Sequence, residues 1–179
     1  MKATTVLKWR GVALMGTLFF AINSFGQSTP KLTDPEIASV AVTANQIDVD
    51  YAGIAQRKSA DAAILNFAKT MKTDHLGVID MATKLVKKLK VTPKTNSVTK
   101  SLLEGAKKTK ATLNGKSGKA FNTAYMDNEV AYHQAVIDAV EKVLIPQAQN
   151  AELKALLVQV LPALKAHLEH AKMVQKALK

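Results

Sequence analysis

Apolar residues recur along this chain in alternating steps of four and three, the spacing that lines one buried face of a helix. From Ile64 the series runs through Ala68, Met71, His75, Val78, Ala82 and Leu85 to Leu89, so a histidine sits inside an otherwise apolar seam. Three further series behave alike. Ile37, Ala41, Ala44, Tyr51 and Ala55 are interrupted by Asp48; Met126, Val130, Ile137, Val140 and Leu144 by His133; and Leu153, Leu157, Val160, Leu164, Ala171, Val174 and Leu178 by His167. No stretch alternates with the period of a half-buried strand for long enough to predict a sheet.

The boundaries of these segments carry their own signals. Thr33, Asp34, Pro35 and Glu36 combine an oxygen cap, an early proline and a carboxylate near the positive end of the helix dipole, which predicts a helix running to about Lys58. Ser59 and Asp61 cap the next one at once, so the two must fold back as a hairpin. The second helix is expected to end near Lys90, before Val91-Thr92-Pro93. Ser97 to Leu113 carries a narrow stripe (Val98, Leu102, Ala106, Thr109, Leu113) weakened by Gly105, and reads as a short helix lying across the others. After the turn cluster Asn114 to Gly118, a helix from about Lys119 to Ile145 is expected to stop at Pro146. The last follows Gln147 to Asn150 and runs to about Leu178, with Pro162 bending it a turn before His167. The expected fold class is all-α: an up-down-up-down four-helix bundle with an accessory helix between the second and third long members.

The amino terminus changes the picture of where this domain works. Lys2, Lys8 and Arg10 precede the apolar run Gly11 to Ile22, and Ser24-Phe25-Gly26 supplies small residues for a signal peptidase. Residues 1–26 therefore read as a cleavable export signal, 27–33 as a linker and 34–179 as the helical domain. An uncleaved anchor is the alternative, disfavoured because a spanning helix needs about 20 apolar residues. The mature chain is expected to carry no transmembrane segment and to reside in the periplasm or cell envelope. The chain contains no cysteine, which excludes disulfides and lipoprotein attachment.

Charge narrows the partners. Removing Lys2, Lys8 and Arg10 takes the 25 basic residues to 22 against 14 acidic ones, and the formal charge from +11 to +8. The excess is spread over Lys84, Lys87, Lys88 and Lys90, then Lys107, Lys108 and Lys110, then Lys172, Lys176 and Lys179. Such runs read as solvated helix faces, with an anionic envelope component as the partner they would suit. Export and the lack of aromatics between the lysines argue against nucleic acid. Catalytic signatures are missing: no cysteine nucleophile, no phosphate-cradling glycine loop and no serine with a histidine and an acid in a recognisable turn. Enzymatic activity is not the expected role.

Three stretches taken together resemble a known family. They are Met71-Lys72-Thr73-Asp74-His75, then Phe121 with Tyr125-Met126-Asp127 and His133, and Leu161-Pro162-Ala163-Leu164-Lys165-Ala166-His167. The combination is similar to the bacterial domain-of-unknown-function family 4142, over roughly Pro35 to Leu178. The resemblance implies a ferritin-like bundle and brings with it the label of predicted outer membrane protein, for which this chain offers neither barrel strands nor a second membrane segment. It implies no established reaction.

Ferritin-like di-iron sites pair Glu-x-x-His motifs with further glutamates. Here the residues three before His75, His133 and His167 are Lys72, Val130 and Leu164, so that pattern is absent. What remains is imidazole from three helices and a carboxylate from a fourth, a donor set suited to one Zn, Fe, Mn or Cu ion. Counted from the hairpin at Ser59, Asp48 lies ~16 Å along one helix and His75 ~24 Å along the next, at a rise of ~1.5 Å per residue. From a hairpin near Ala148, His133 lies ~22 Å away and His167 ~28 Å away. This places the histidines in one layer and Asp48 a turn short, with Gln46 or Thr43 nearer. Glu129 and His170 are reserve ligands, and Asp74 is a partner of the site or a surface acid.

Four unpaired polar groups in one core are costly unless an ion, water or a mutual network satisfies them. Two functions follow. One is an exported domain binding a divalent transition metal ion for envelope metal handling or stress protection. The other is a non-catalytic envelope interaction or structural module with a metal-free polar core.

Overall fold

The computed structural model describes residues 30–178. The expected export signal, residues 1–26, lies outside them. Among the described residues there is no strand, and the elements are α1 (Asp34–Lys58), α2 (Ala62–Lys88), α3 (Ser97–Asn114), α4 (Gly118–Ala139), a π-helical segment (Val140–Leu144), the single turn α5 (Ile145–Gln147) and α6 (Ala151–Ala177). No helix among them is long and apolar enough to cross a membrane.

Local chemistry sets the ends. Glu36 Oε2 accepts from the backbone N–H of Thr33 at 2.9 Å and from its hydroxyl at 2.7 Å, which closes the start of α1. Asp61 Oδ1 accepts from the N–H groups of Ala63 and Ile64, and Asn150 Oδ1 from those of Glu152 and Leu153, so α2 and α6 begin on side-chain caps. Asp34 reaches across the chain: its two carboxylate oxygens each accept at 2.9 Å, from the N–H groups of Gln149 and Asn150. This fastens the turn before α6 to the start of α1.

α1 packs along α2, and α4 along α6, while α2 also meets α6 and α3 lies on α1 with a smaller contact on α4. Most of the expected seam is buried on every long helix, including Ile37, Ala44 and Tyr51 on α1, Ile64, Ala68 and Met71 on α2, and Leu153, Leu157 and Leu164 on α6. The apolar residues form two clusters. One contains Tyr51, Phe67, Met71, Phe121, Tyr125 and Met126. The other contains Ile37, Val40, Ile137, Leu144, Leu157 and Leu164. The interrupting polar residues fall where each helix passes from one cluster to the other.

Two expectations change. α2 ends at Lys88 rather than Lys90, because Lys90 takes a positive φ of 54°, the left-handed conformation that terminates a helix. The accessory helix keeps its expected bounds to within a residue, held at its start by Asn96, whose Oδ1 accepts from the N–H of Thr99 at 3.0 Å. Pro146 does not stop the helix before it. The backbone widens into a π turn over Val140–Leu144 and continues to Gln147. A proline lacks an N–H and crowds the carbonyl four residues earlier, and a π segment accommodates both. α6 likewise continues through Pro162, on an exposed face where solvent can reach the freed backbone.

Candidate metal centre

The polar layer gathers one residue from each long helix: Asp48 from α1, His75 from α2, His133 from α4 and His167 from α6. All four are buried, Asp48 completely. The three imidazole rings form a near-equilateral triangle, with centroids 5.6 Å apart for His75 and His133, 5.3 Å for His75 and His167, and 5.6 Å for His133 and His167. Each offers one nitrogen within 4.8 Å of those of the other two. Asp48 Oδ2 lies 3.1 Å from His75 Nε2 and 3.4 Å from His133 Nε2.

Hydrogen bonds on the far side of each ring decide which nitrogen carries a lone pair. Asn45 donates through Nδ2 to the carbonyl of Ala41 at 2.8 Å, which orients its Oδ1 toward His75 Nδ1 at 2.7 Å. His75 Nδ1 is therefore the donor, and its Nε2 faces inward bare. His133 Nδ1 lies 3.0 Å from the backbone carbonyl of Glu129 and donates to it, again leaving Nε2. His167 Nε2 donates to Asp74 Oδ2 at 2.9 Å, leaving Nδ1. The three remaining nitrogens, and both oxygens of Asp48, are buried with no hydrogen-bond partner. An outer nitrogen anchored by carboxylate, amide or carbonyl and an inner one left free is the arrangement found around metal-bound histidines.

The spacing has the same sense. Metal–ligand bonds of about 2.0–2.2 Å at a tetrahedral angle put neighbouring donor atoms about 3.3 Å apart, close to the two distances from Asp48.

Burial and neighbouring charge act on these groups in opposite directions. Burial pushes the Asp48 carboxyl up, but the adjacent imidazoles, His75 first and then His133 and His167, outweigh it when protonated and hold the group below its ordinary value. Burial lowers His133 and His167, against the pull of Asp48 on the first and of the Asp74 hydrogen bond on the second. Imidazoles held low are neutral, the form that coordinates.

Glu129 lies a turn before His133 on α4. It is fully buried, both its oxygens lack partners, and with Asp48 and His133 it forms a second cluster of donors within 4.8 Å. Burial, and then the charge of Asp48, push its carboxyl well up. Of the other candidates, Asp74 is the half-exposed partner of His167. His170 packs edge-on against Phe67 at 5.1 Å between centroids, outside both clusters.

Asp48 shares the layer of the histidines and does not fall a turn short. Residues 59–61 are not helical and do not advance at the helical rise. Helical side chains also lean toward their own amino terminus, which carries Asp48 away from the hairpin and His75 toward it. Gln46 is exposed and bonds Asp50 instead, Nε2 to Oδ1 at 3.0 Å. The residue that sequence reasoning overlooked is Asn45. Its only signal is a helix-interior asparagine three positions before Asp48, next to the seam.

No curated protein and no solved structure matches the chain. The signature of the family described as Domain of unknown function (DUF4142) matches residues 23–174, nearly the whole of the expected mature domain and all four residues of the polar layer, and the chain belongs to that family.

Proposed function

We propose that this protein is an exported, ferritin-like up-down-up-down four-helix domain that holds one divalent first-row transition metal ion through His75, His133, His167 and Asp48, and serves metal handling or stress protection in the cell envelope. The observation that carries the reading is the set of inward nitrogens and carboxylate oxygens that are buried, unpartnered and mutually close, while every outer nitrogen is anchored. Such a cluster is expensive to leave unsatisfied, and a cation satisfies all of its members at once. The donor set of nitrogen and oxygen without thiolate suits Zn, Fe, Mn or Cu. Residues 1–26 serve as the export signal, 27–33 as a linker and 34–179 as the domain, in a periplasmic or envelope location. Glu129 stands in reserve as a carboxylate donor on the Asp48 side.

Elemental analysis of the mature chain after gentle purification, followed by titration of the metal-free protein with each ion and thermal melts, tests this. One equivalent of ion, lost on replacing any of the three histidines by Ala, is the expected result. If no ion binds stoichiometrically and none changes the melting of parent or variants, the core is a metal-free polar network. The interaction module with its lysine-rich faces is then the better account.

A further inference from the structure

The donor set has an open side. A cavity of about 10 Å³, the scale of a single water, borders it. Asp48, His75 and His133 form its floor, and Ala44, Val136 and Leu164 its roof. Each roof residue stands one helical turn from Asp48, His133 or His167, on the side of the apolar cluster that contains Ile37 and Leu157. Glu129 is a turn away in the opposite direction, and neither it nor His167 lines the cavity. The cavity therefore adjoins the space enclosed by the three histidines rather than coinciding with it.

Its side walls are polar only in name. The Asn45 amide is spent on Ala41 and His75, and the Tyr132 hydroxyl donates to the carbonyl of Ala44 at 2.9 Å. The unpartnered polar atoms carried by its lining residues are the oxygens of Asp48 and the Nε2 atoms of His75 and His133. A molecule seated there meets apolar groups above and the donor cluster below, so its hold depends on an ion in that cluster. Four protein donors fill a tetrahedral set, so a free position here is a fifth one, of the kind metal sites gain when they expand from four- to five-coordinate.

We infer that the metal centre keeps an exchangeable coordination position facing this cavity, which accepts an exogenous ligand of one or two heavy atoms: water, hydroxide or a diatomic gas. The inference rests on the metal-binding reading above, and it makes the centre a reactive or sensing site rather than a closed structural one.

The test uses the metal-free full mature chain loaded with one equivalent of Co²⁺, which N/O sites bind more tightly than Mn²⁺ or Fe²⁺, and nitric oxide as the diatomic probe. The visible bands and the high-spin electron paramagnetic resonance signal of Co²⁺ are followed under argon. One nitric oxide per Co²⁺ should change both, while imidazole, too large for the cavity, should change neither. Val136→Phe fills the cavity from its roof and should retain the Co²⁺ while losing the nitric oxide response. Ala44→Val, a smaller intrusion, should weaken that response and provides the answer where the larger variant does not fold. Stoichiometric Co²⁺ with spectra indifferent to nitric oxide overturns the open position, as does a response unchanged in every folded roof variant. Failure to bind Co²⁺ at all overturns the metal reading itself, and the inference with it.

Discussion

Asp48 Oδ2 and His75 Nε2 stand 3.1 Å apart on neighbouring helices, yet neither atom has a hydrogen-bond partner. The cause lies on the far side of the ring, where Asn45 claims the His75 proton. A bare nitrogen lone pair and a carboxylate at this distance repel unless a proton or a metal ion lies between them. Asp48→Asn keeps the shape and removes the charge. Metal affinity should fall at least about a hundredfold, near 2.7 kcal/mol. The metal-free variant should melt below the metal-free parent by less than the metal-loaded pair differ, because the imidazoles that hold the Asp48 carboxyl low already compensate part of its charge. Calorimetric titration and paired melts with and without metal check both halves; equal destabilisation in both conditions points to packing alone.

Asn45 and Asp74 act on the site only through the rings they hold. Asn45→Ala and Asp74→Asn should each weaken metal binding by about 10–100-fold, the range measured for the outer partners of ligating histidines. His170→Ala should leave binding unchanged, since that ring packs on Phe67. The same titration, run on the three variants side by side, separates these outcomes.

How much of this was legible in advance depends on the kind of signal. The helical seams were, because burial of one face leaves a period in the residues, and Ile64, Met71, Leu157 and Leu164 are all buried as that period requires. So was the convergence of three histidines, because each interrupts a seam and seams face one another. The axial position of Asp48 was not, since it depends on three turn residues and on the lean of helical side chains, neither of which leaves a periodic trace. Asn45 was invisible for a related reason: it lies beside the seam, and only the neighbouring α2 reveals what it touches. The π turn before Pro146 had no sequence mark apart from the proline itself, which also reads as a stop.

The two apolar clusters on either side of the polar layer should respond alike to truncation. Ile64 is fully buried in one and Leu157 is 3% exposed in the other. Replacing either by Ala should destabilise the fold by about 2–5 kcal/mol through lost transfer energy and the cavity left behind. Urea denaturation of the metal-free protein measures this directly; a loss below about 1 kcal/mol at both positions contradicts the packing described.

Export predicts a specific chemical change. Trp9, the only tryptophan, falls within the proposed leader, so the envelope form should begin near Gln27 and lack indole fluorescence. Intact-mass measurement of the envelope fraction decides it. Recovery of the uncut chain in the membrane supports the anchor instead.

Glu129 and the histidines make the stability of the metal-free protein depend on pH from two sides. Burial, then the charge of Asp48, raise the folded Glu129 well above its ordinary value of 4.5. The folded state therefore keeps a proton that the unfolded chain releases, and stability declines as pH rises above about 4.5 toward the folded value. Burial places His133 and His167 below 6.5. The unfolded chain then takes protons that the folded state refuses, and stability also declines as pH falls below about 6.5. Glu129→Gln removes the first penalty and leaves the second. With a chelator present, the variant should melt above the parent at pH 8, and the gap should close toward pH 4, where the parent carboxyl is protonated in both states. A gap that persists at pH 4 identifies a packing effect. Added metal should stabilise the parent most above pH 6.5, and that gain should fade on acidification as protons compete for the imidazoles.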